Sequence, residues 1–169
     1  SCGGDLTQQP LPLYCCAILS SPTGDGSLLM ELRDHKAKAA AGKLTCFGGK
    51  REKDEGPLEC LLRELAEELG GWQPATIPTR CIDLYVHNKL VAWFYDAEGP
   101  ARDARIEFEV GRAGVWISER DILHDARLSE WHEAVLQARN CGASRADFPP
   151  CDHDMSRAAP AGPGGLHPL

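Results

Sequence analysis

The chain has 169 residues, 43% of them hydrophobic and 25% charged, which suits one globular domain with its own core, with room for a tail. Its formal net charge of -7 disfavours non-specific attachment to nucleic acid or an anionic membrane, so an anionic substrate would need positive charge from a metal or a few Lys and Arg. The longest apolar run, residues 11–19, is broken by Pro12 and falls far short of a membrane span; no secretory signal pattern precedes it, and a cytoplasmic location is expected.

Taken in chain order, residues 11–20 read as a buried strand. The turn cluster SPTGDGS (21–27) leads into LLMELRD, a second strand forming a hairpin with the first. HKAKAAAGK (35–43) is a polar, Ala-rich connection, and LTCF (44–47) is a short strand running into Gly48 and Gly49. A helix follows: Gly56 serves as its N-cap, Pro57 suits the first helical position and Glu59 the first turn. Leu58, Leu61, Leu62, Leu65 and Leu69 form its buried stripe, and Gly70 and Gly71 stop it.

RCIDLYV and LVAWFYDAE flank His87, Asn88 and Lys89 as a second hairpin. GPARDAR (99–105) is a loop, and IEFEV (106–110) and GVWIS (114–118) are expected strands. ERDIL and LSEWHEAVLQARN read as helical, with Leu128, Trp131, Val135 and Leu136 as apolar positions. After Gly142 the composition turns to Pro, Gly and polar residues, and 143–169 is expected to be disordered. The eight cysteines show no CxxC pair, and most are read as reduced, packed thiols. Tyr85, Trp93, Phe94 and Tyr95 are read mainly as packing residues.

Within the first helix, Glu64, Glu67 and Glu68 are three and four residues apart. At about 100° per residue they fall on a sector spanning about 100°, opposite the leucine stripe. Three like charges within a turn are unfavourable without a partner. One partner is basic: Arg63 stands four residues from both Glu59 and Glu67, the arrangement of a solvated charged face. The other is a hard cation such as Mg²⁺, which takes oxygen ligands and bridges to substrate phosphates.

The whole stretch resembles the signature of the Nudix hydrolase family, G-x5-E-x7-R-E-U-x-E-E-x-G-U, where U is a bulky aliphatic residue. Gly49, Glu55, Arg63, Glu64, Leu65, Glu67, Glu68 and Gly70 fill its positions in order. The last position departs: Gly71 stands there, and Trp72 is next in line to fill the hydrophobic slot. The lead-in KLTCFGGK (43–50) is similar to that of the MutT-like branch, which acts on nucleoside triphosphates, although Phe47 replaces the proline common there.

The resemblance implies an α/β/α sandwich around a mixed β-sheet over a domain at residues 1–142. It implies Mg²⁺-dependent hydrolysis of a nucleoside diphosphate linked to another moiety, with Mn²⁺ as a substitute. Carried onto this chain, Glu67 and Glu68 would be metal ligands, Glu64 would bind metal or orient and deprotonate water, and the Gly49 carbonyl would add a ligand. Glu55 and Arg63 would form a structural salt bridge. A further carboxylate from outside the signature is expected at Glu109, with Glu107 second. Lys50 and Arg33 are candidates to meet substrate phosphate.

The expected partner is a small nucleotide; the reading includes no membrane, and the acidic balance argues against nucleic acid. Dimers are common in the family, so a homodimer is the assembly to look for. Two alternatives stand beside the enzyme: a Nudix-fold module that senses a nucleotide without turnover, and, ranked lower, an RNA cap hydrolase, which would want a basic surface.

Overall fold

A computed structural model describes residues 9–150. Its strands are β1 (Tyr14–Ser20), β2 (Ser27–Arg33), β3 (Leu44–Thr45), β4 (Phe47–Lys50), β5 (Thr79–Val86), β6 (Lys89–Glu98), β7 (Arg112–Ser118) and β8 (Arg145–Phe148). Its helices are α1 (Pro57–Glu68), α2 (Glu119–Ile122) and α3 (Glu130–Asn140). None of them is long and apolar enough to cross a membrane.

The sheet runs β3-β2-β1-β6-β5-β8, with β4 on β1 and β7 on β2. β1 pairs parallel with β6, and β5 pairs parallel with β8, whereas β1–β2, β2–β7 and β5–β6 are antiparallel. The sheet is therefore mixed. His87 and Asn88 turn the β5–β6 hairpin with φ of 47° and 64°, the backbone of a primed turn that matches strand twist.

β1 is covered on both faces, which explains its unbroken apolar run. Cys15, Ala17 and Leu19 join Leu29, Phe47, Cys60, Leu61, Leu65, Leu69 and Tyr95 in a core under α1. Cys16 and Ile18 point the other way, into a core with Leu28, Met30, Phe94, Trp131, Val135 and Leu136 under α3. The period of two along the strand thus builds two cores and three layers. His132 of α3 is buried at the second core, its ring edge-on to Phe94 at 5.5 Å between centroids.

Near the site the sheet forks. β2 meets β1 through Leu28 and Leu29 and meets β3 through Glu31 and Leu32. The chain then crosses at Cys46 and continues as β4 along β1, with Gly48 opposite Cys16 and Gly49 opposite Cys15. Gly48 has φ of 145°, and a Cβ there would collide with the Cys15 backbone. Only glycine fits this crossing.

Three expectations are corrected. Residues 106–110 form no strand; the segment is a loop tied down at discrete points, by Phe108 stacked on Phe47 at 6.0 Å and by the Glu109 N–H donating to the Glu68 carbonyl at 3.0 Å. Residues 145–148 are not disordered: they form β8, with Ala146 buried, because the open edge of β5 offers a ladder to pair with. The rest of the expected tail, 151–169, lies outside the described residues. Glu68, expected opposite the apolar face of α1 with Glu64 and Glu67, is on the buried side instead. Cys60, Leu61, Leu65 and Glu68 are its buried residues, because α1 packs at the fork and its buried sector includes Glu68, while Leu58 and Leu62 are half-buried.

Candidate functional site

Local sequence places the site. Gly56 caps α1 with extended backbone (φ -70°, ψ 157°) and Pro57 starts it, so the loop 50–56 delivers Glu55 against Arg63. Arg63 Nε donates to Glu55 Oε1 at 2.6 Å and Nη2 donates to Glu55 Oε2 at 3.0 Å, a bidentate fork. Nη2 also donates to the Lys50 carbonyl at 3.1 Å. This pairing fastens the loop to the helix, and the Arg63 guanidinium holds the Glu55 carboxyl down at about 2.

The remaining Arg63 nitrogen, Nη1, serves the candidate acid residues. It donates to Glu64 Oε1 at 3.0 Å and to Glu67 Oε2 at 3.3 Å. Glu67 is the exposed member, with 54% of its side chain accessible. Glu64 lies under Gly49, where any Cβ would overlap its carboxyl group. The Gly49 carbonyl accepts a hydrogen bond from the Cys60 thiol at 3.6 Å. The Cys15 thiol and burial push the Cys60 thiol up, so it remains a neutral donor. Among the described residues Arg63 pairs with Glu52, Glu55, Glu64 and Glu67, and the expected pairing with Glu59 does not form.

Glu68 is different. It is 0% exposed. Its Oε2 accepts from the Gly48 N–H at 3.2 Å, and its Oε1 is buried without a hydrogen-bond partner among the described residues. Arg112 Nη1 stands 3.5 Å from that oxygen. Burial first, then the nearby Glu31 charge, push the Glu68 carboxyl up to about 9 against the pull of Arg112. A buried carboxyl group with an open oxygen is costly to ionise alone.

An open cleft of ≈ 250 Å³ is lined by Glu31, Arg33, Asp34, Lys36, Glu109 and Arg112 among others. A second, more apolar cleft of ≈ 470 Å³ shares Arg33 and Arg112 and adds Leu32, His35 and Arg127. Of the predicted residues, Arg33 and Glu109 sit here. Glu109 is at the rim, half-exposed, with Oε2 3.3 Å from Arg112 Nε. Glu107 is exposed, and its carbonyl lies over Gly70. Lys50 is exposed at the end of β4 and lines neither cleft. Trp72 packs against the core under α1, next to the position where Gly71 has open space.

Glu31 and Arg112 escaped the sequence reading. The signal for Glu31 was present: a carboxylate set into an apolar strand, in step with Leu29 and Arg33 on the face toward α1. Arg112 carried no such signal.

Among the described residues, no three or more His, Cys, Asp or Glu side chains already converge as a metal site. The residues nevertheless suit a hard divalent cation. The donors are all oxygens, Glu68 Oε1 is buried and unpartnered, and Glu64 and Glu67 now share one arginine nitrogen that a cation would replace.

The sequence model of the NUDIX domain family matches residues 12–138. No curated protein matches the chain. Among solved structures, the chain is similar to the MutT protein of Methanosarcina mazei Go1, with 20% identity and a TM-score of 0.59, over 79% of this chain and 96% of that one. It is similar to the E. coli ORF135 protein (25% identity, TM-score 0.53, 76% and 87% covered). It is also similar to the MutT NUDIX hydrolase of Burkholderia pseudomallei (24% identity, TM-score 0.55, 76% and 98% covered). These likenesses establish the α/β/α fold.

Proposed function

This chain belongs to the Nudix hydrolase family, whose members generally hydrolyse nucleoside diphosphate derivatives, and from that premise we propose that it is a divalent-cation-dependent pyrophosphohydrolase. Its substrate is a nucleoside diphosphate linked to another group, with nucleoside triphosphates as the first candidates. The observation that carries this reading is Glu68: a buried carboxyl group whose Oε1 has no hydrogen-bond partner among the described residues, on the same helix as Glu64 and Glu67.

Glu64, Glu67, Glu68 and the Gly49 carbonyl would hold Mg²⁺ or Mn²⁺. When bound, the cation supplies neutralisation of phosphate oxygens and acidification of water. The protein's own groups do the rest. Glu64, held close under Gly49, takes the proton of the attacking water. Arg33 and Lys36, lining the cleft, draw the polyphosphate in against the chain's net charge of -7 and orient it. Glu109 repels phosphate from the rim unless Arg112 or a cation neutralises it, which makes it the candidate carboxylate from outside the signature. Glu55 and Arg63 keep the loop on the helix and take no part in the chemistry.

The test is a panel of dNTPs, oxidised dNTPs, ADP-ribose, NDP-sugars, dinucleoside polyphosphates and NADH, assayed with and without Mg²⁺. Turnover of at least one compound, abolished by chelation, is the expected result. Tight nucleotide binding without turnover across the panel, with Mg²⁺ and with Mn²⁺, would replace the enzyme with a sensor.

A further inference from the structure

The geometry points to Glu31 as a positioning residue that parks Arg112 beside Glu68 while keeping it off Oε1. This rests on the divalent-cation reading above and extends it to two residues outside the signature.

Glu31 is 1% exposed, in the middle of β2 at the fork of the sheet. One of its oxygens forms an ion pair with Arg112 Nη1, and the other accepts from Thr45 Oγ1 at 3.5 Å. Arg112 opens β7, which pairs with β2 along its length. Its Nε faces Glu109 Oε2 at the rim. The same Nη1 that binds Glu31 stands 3.5 Å from Glu68 Oε1, the closest cationic atom to that carboxyl group among the described residues.

Two buried carboxyl groups thus share one guanidinium, and Glu31 is the nearer. Arginine closing on Glu68 would form a strong, directional pair with the oxygen a cation needs. Held by Glu31 and Glu109, Arg112 offsets part of the negative charge of the pocket yet leaves Oε1 open. Both carboxyl groups ionised against one guanidinium would also leave the pocket short of positive charge, a deficit that a divalent cation fills.

The experiment titrates Mn²⁺ calorimetrically into the wild type, Glu31→Gln, Arg112→Gln, the double variant Glu31→Gln/Arg112→Gln, and Glu67→Gln as the reference for the cation site. Glu31→Gln is expected to bind Mn²⁺ about tenfold or more weakly, the size of effect seen when groups behind metal ligands are removed, because Arg112 turns onto Glu68. Arg112→Gln binds at least as tightly as the wild type. The double variant recovers to within about threefold of the wild type, a suppression that only coupled sites produce.

Wild-type affinity in Glu31→Gln overturns the assignment. So does a double variant as weak as Glu31→Gln, which would make Glu31 a ligand in its own right, and so does loss of affinity in Arg112→Gln. If Glu31→Gln does not fold, judged by near-ultraviolet circular dichroism, the other two variants decide: a double variant within about threefold of the wild type upholds the assignment, and a weaker double variant or an Arg112→Gln that loses affinity overturns it. A wild type that binds no Mn²⁺, or a Glu67→Gln that binds it unchanged, removes the cation reading itself. Loss in Glu67→Gln with no change in Glu31→Gln removes only the role of Glu31.

Discussion

Glu68 joins stability to function in one side chain. Its carboxyl pKa is raised to about 9 in the fold, above the ordinary carboxylate value. The folded state therefore holds a proton that the unfolded chain has released, and metal-free stability falls as pH rises from the ordinary range toward about 9. Glutamine keeps an acceptor for the Gly48 N–H and carries no charge to bury. Glu68→Gln is expected to melt at or above the wild type near pH 8 without metal, while cation binding is lost, a trade of stability against function. Thermal melts with and without Mg²⁺ check both halves.

His132 has the opposite sign. Burial, and the charge of Arg33, lower its pKa to about 3, and neither ring nitrogen has a hydrogen-bond partner among the described residues. The unfolded chain takes up that proton first, so this contribution is complete above about pH 6.5 and is lost as pH falls toward about 3. His132→Leu should flatten the acid limb of the stability curve between those values; an unchanged limb would remove His132 as its cause.

At the scale of elements, the crossing from β3 to β4 and the helix α1 form one device. Gly48 lets β4 lie close along β1, and its N–H holds Glu68; Gly49 leaves room for the Glu64 carboxyl group. Their alanine variants should separate. At Gly48 the obstacle is the Cys15 backbone, which cannot give way, and Gly48→Ala is expected to lose about 3 kcal/mol or more of stability. At Gly49 it is a side chain, so Gly49→Ala should fold with a smaller loss while displacing Glu64 and lowering kcat. Equal stability losses in urea unfolding would contradict this division.

β8 makes a second test. The Asp83 N–H donates to the Ser144 carbonyl and the His87 N–H to that of Phe148. A chain ending at residue 142 should melt about 5 °C or more below the full chain. This edge strand was not legible in the sequence, because four residues among Pro, Gly and charges carry no strand period; the open edge of β5 selects them. The loop 106–110 misled in the other direction: its alternating pattern reflects Phe108 reaching Phe47, not a ladder. Helix α1 and the β5–β6 hairpin were legible because capping, leucine spacing and turn residues agree there.

At the scale of the whole molecule, the layering explains why the signature could be read and its surroundings could not. Glu55, Arg63, Glu64, Glu67 and Glu68 lie on one loop and helix, so their spacing in the chain is their spacing in space. Glu31 and Arg112 come from β2 and β7, which join the cleft only through sheet pairing, and no local pattern announces that meeting. The burial of Glu68 was missed for the same reason: a helical wheel gives direction around α1 but not which neighbours close over it.

The most direct test is the Mg²⁺-dependent kcat/KM of Glu68→Gln on the best substrate of the panel, beside the wild type and the exposed Glu59→Gln. A fall of about 10²-fold or more is expected for Glu68→Gln, the scale of a lost metal or acid–base contribution, with the fold intact and Glu59→Gln unchanged. A Glu68→Gln enzyme within about threefold of the wild type, well short of the tenfold that 1.4 kcal/mol would produce, would contradict it.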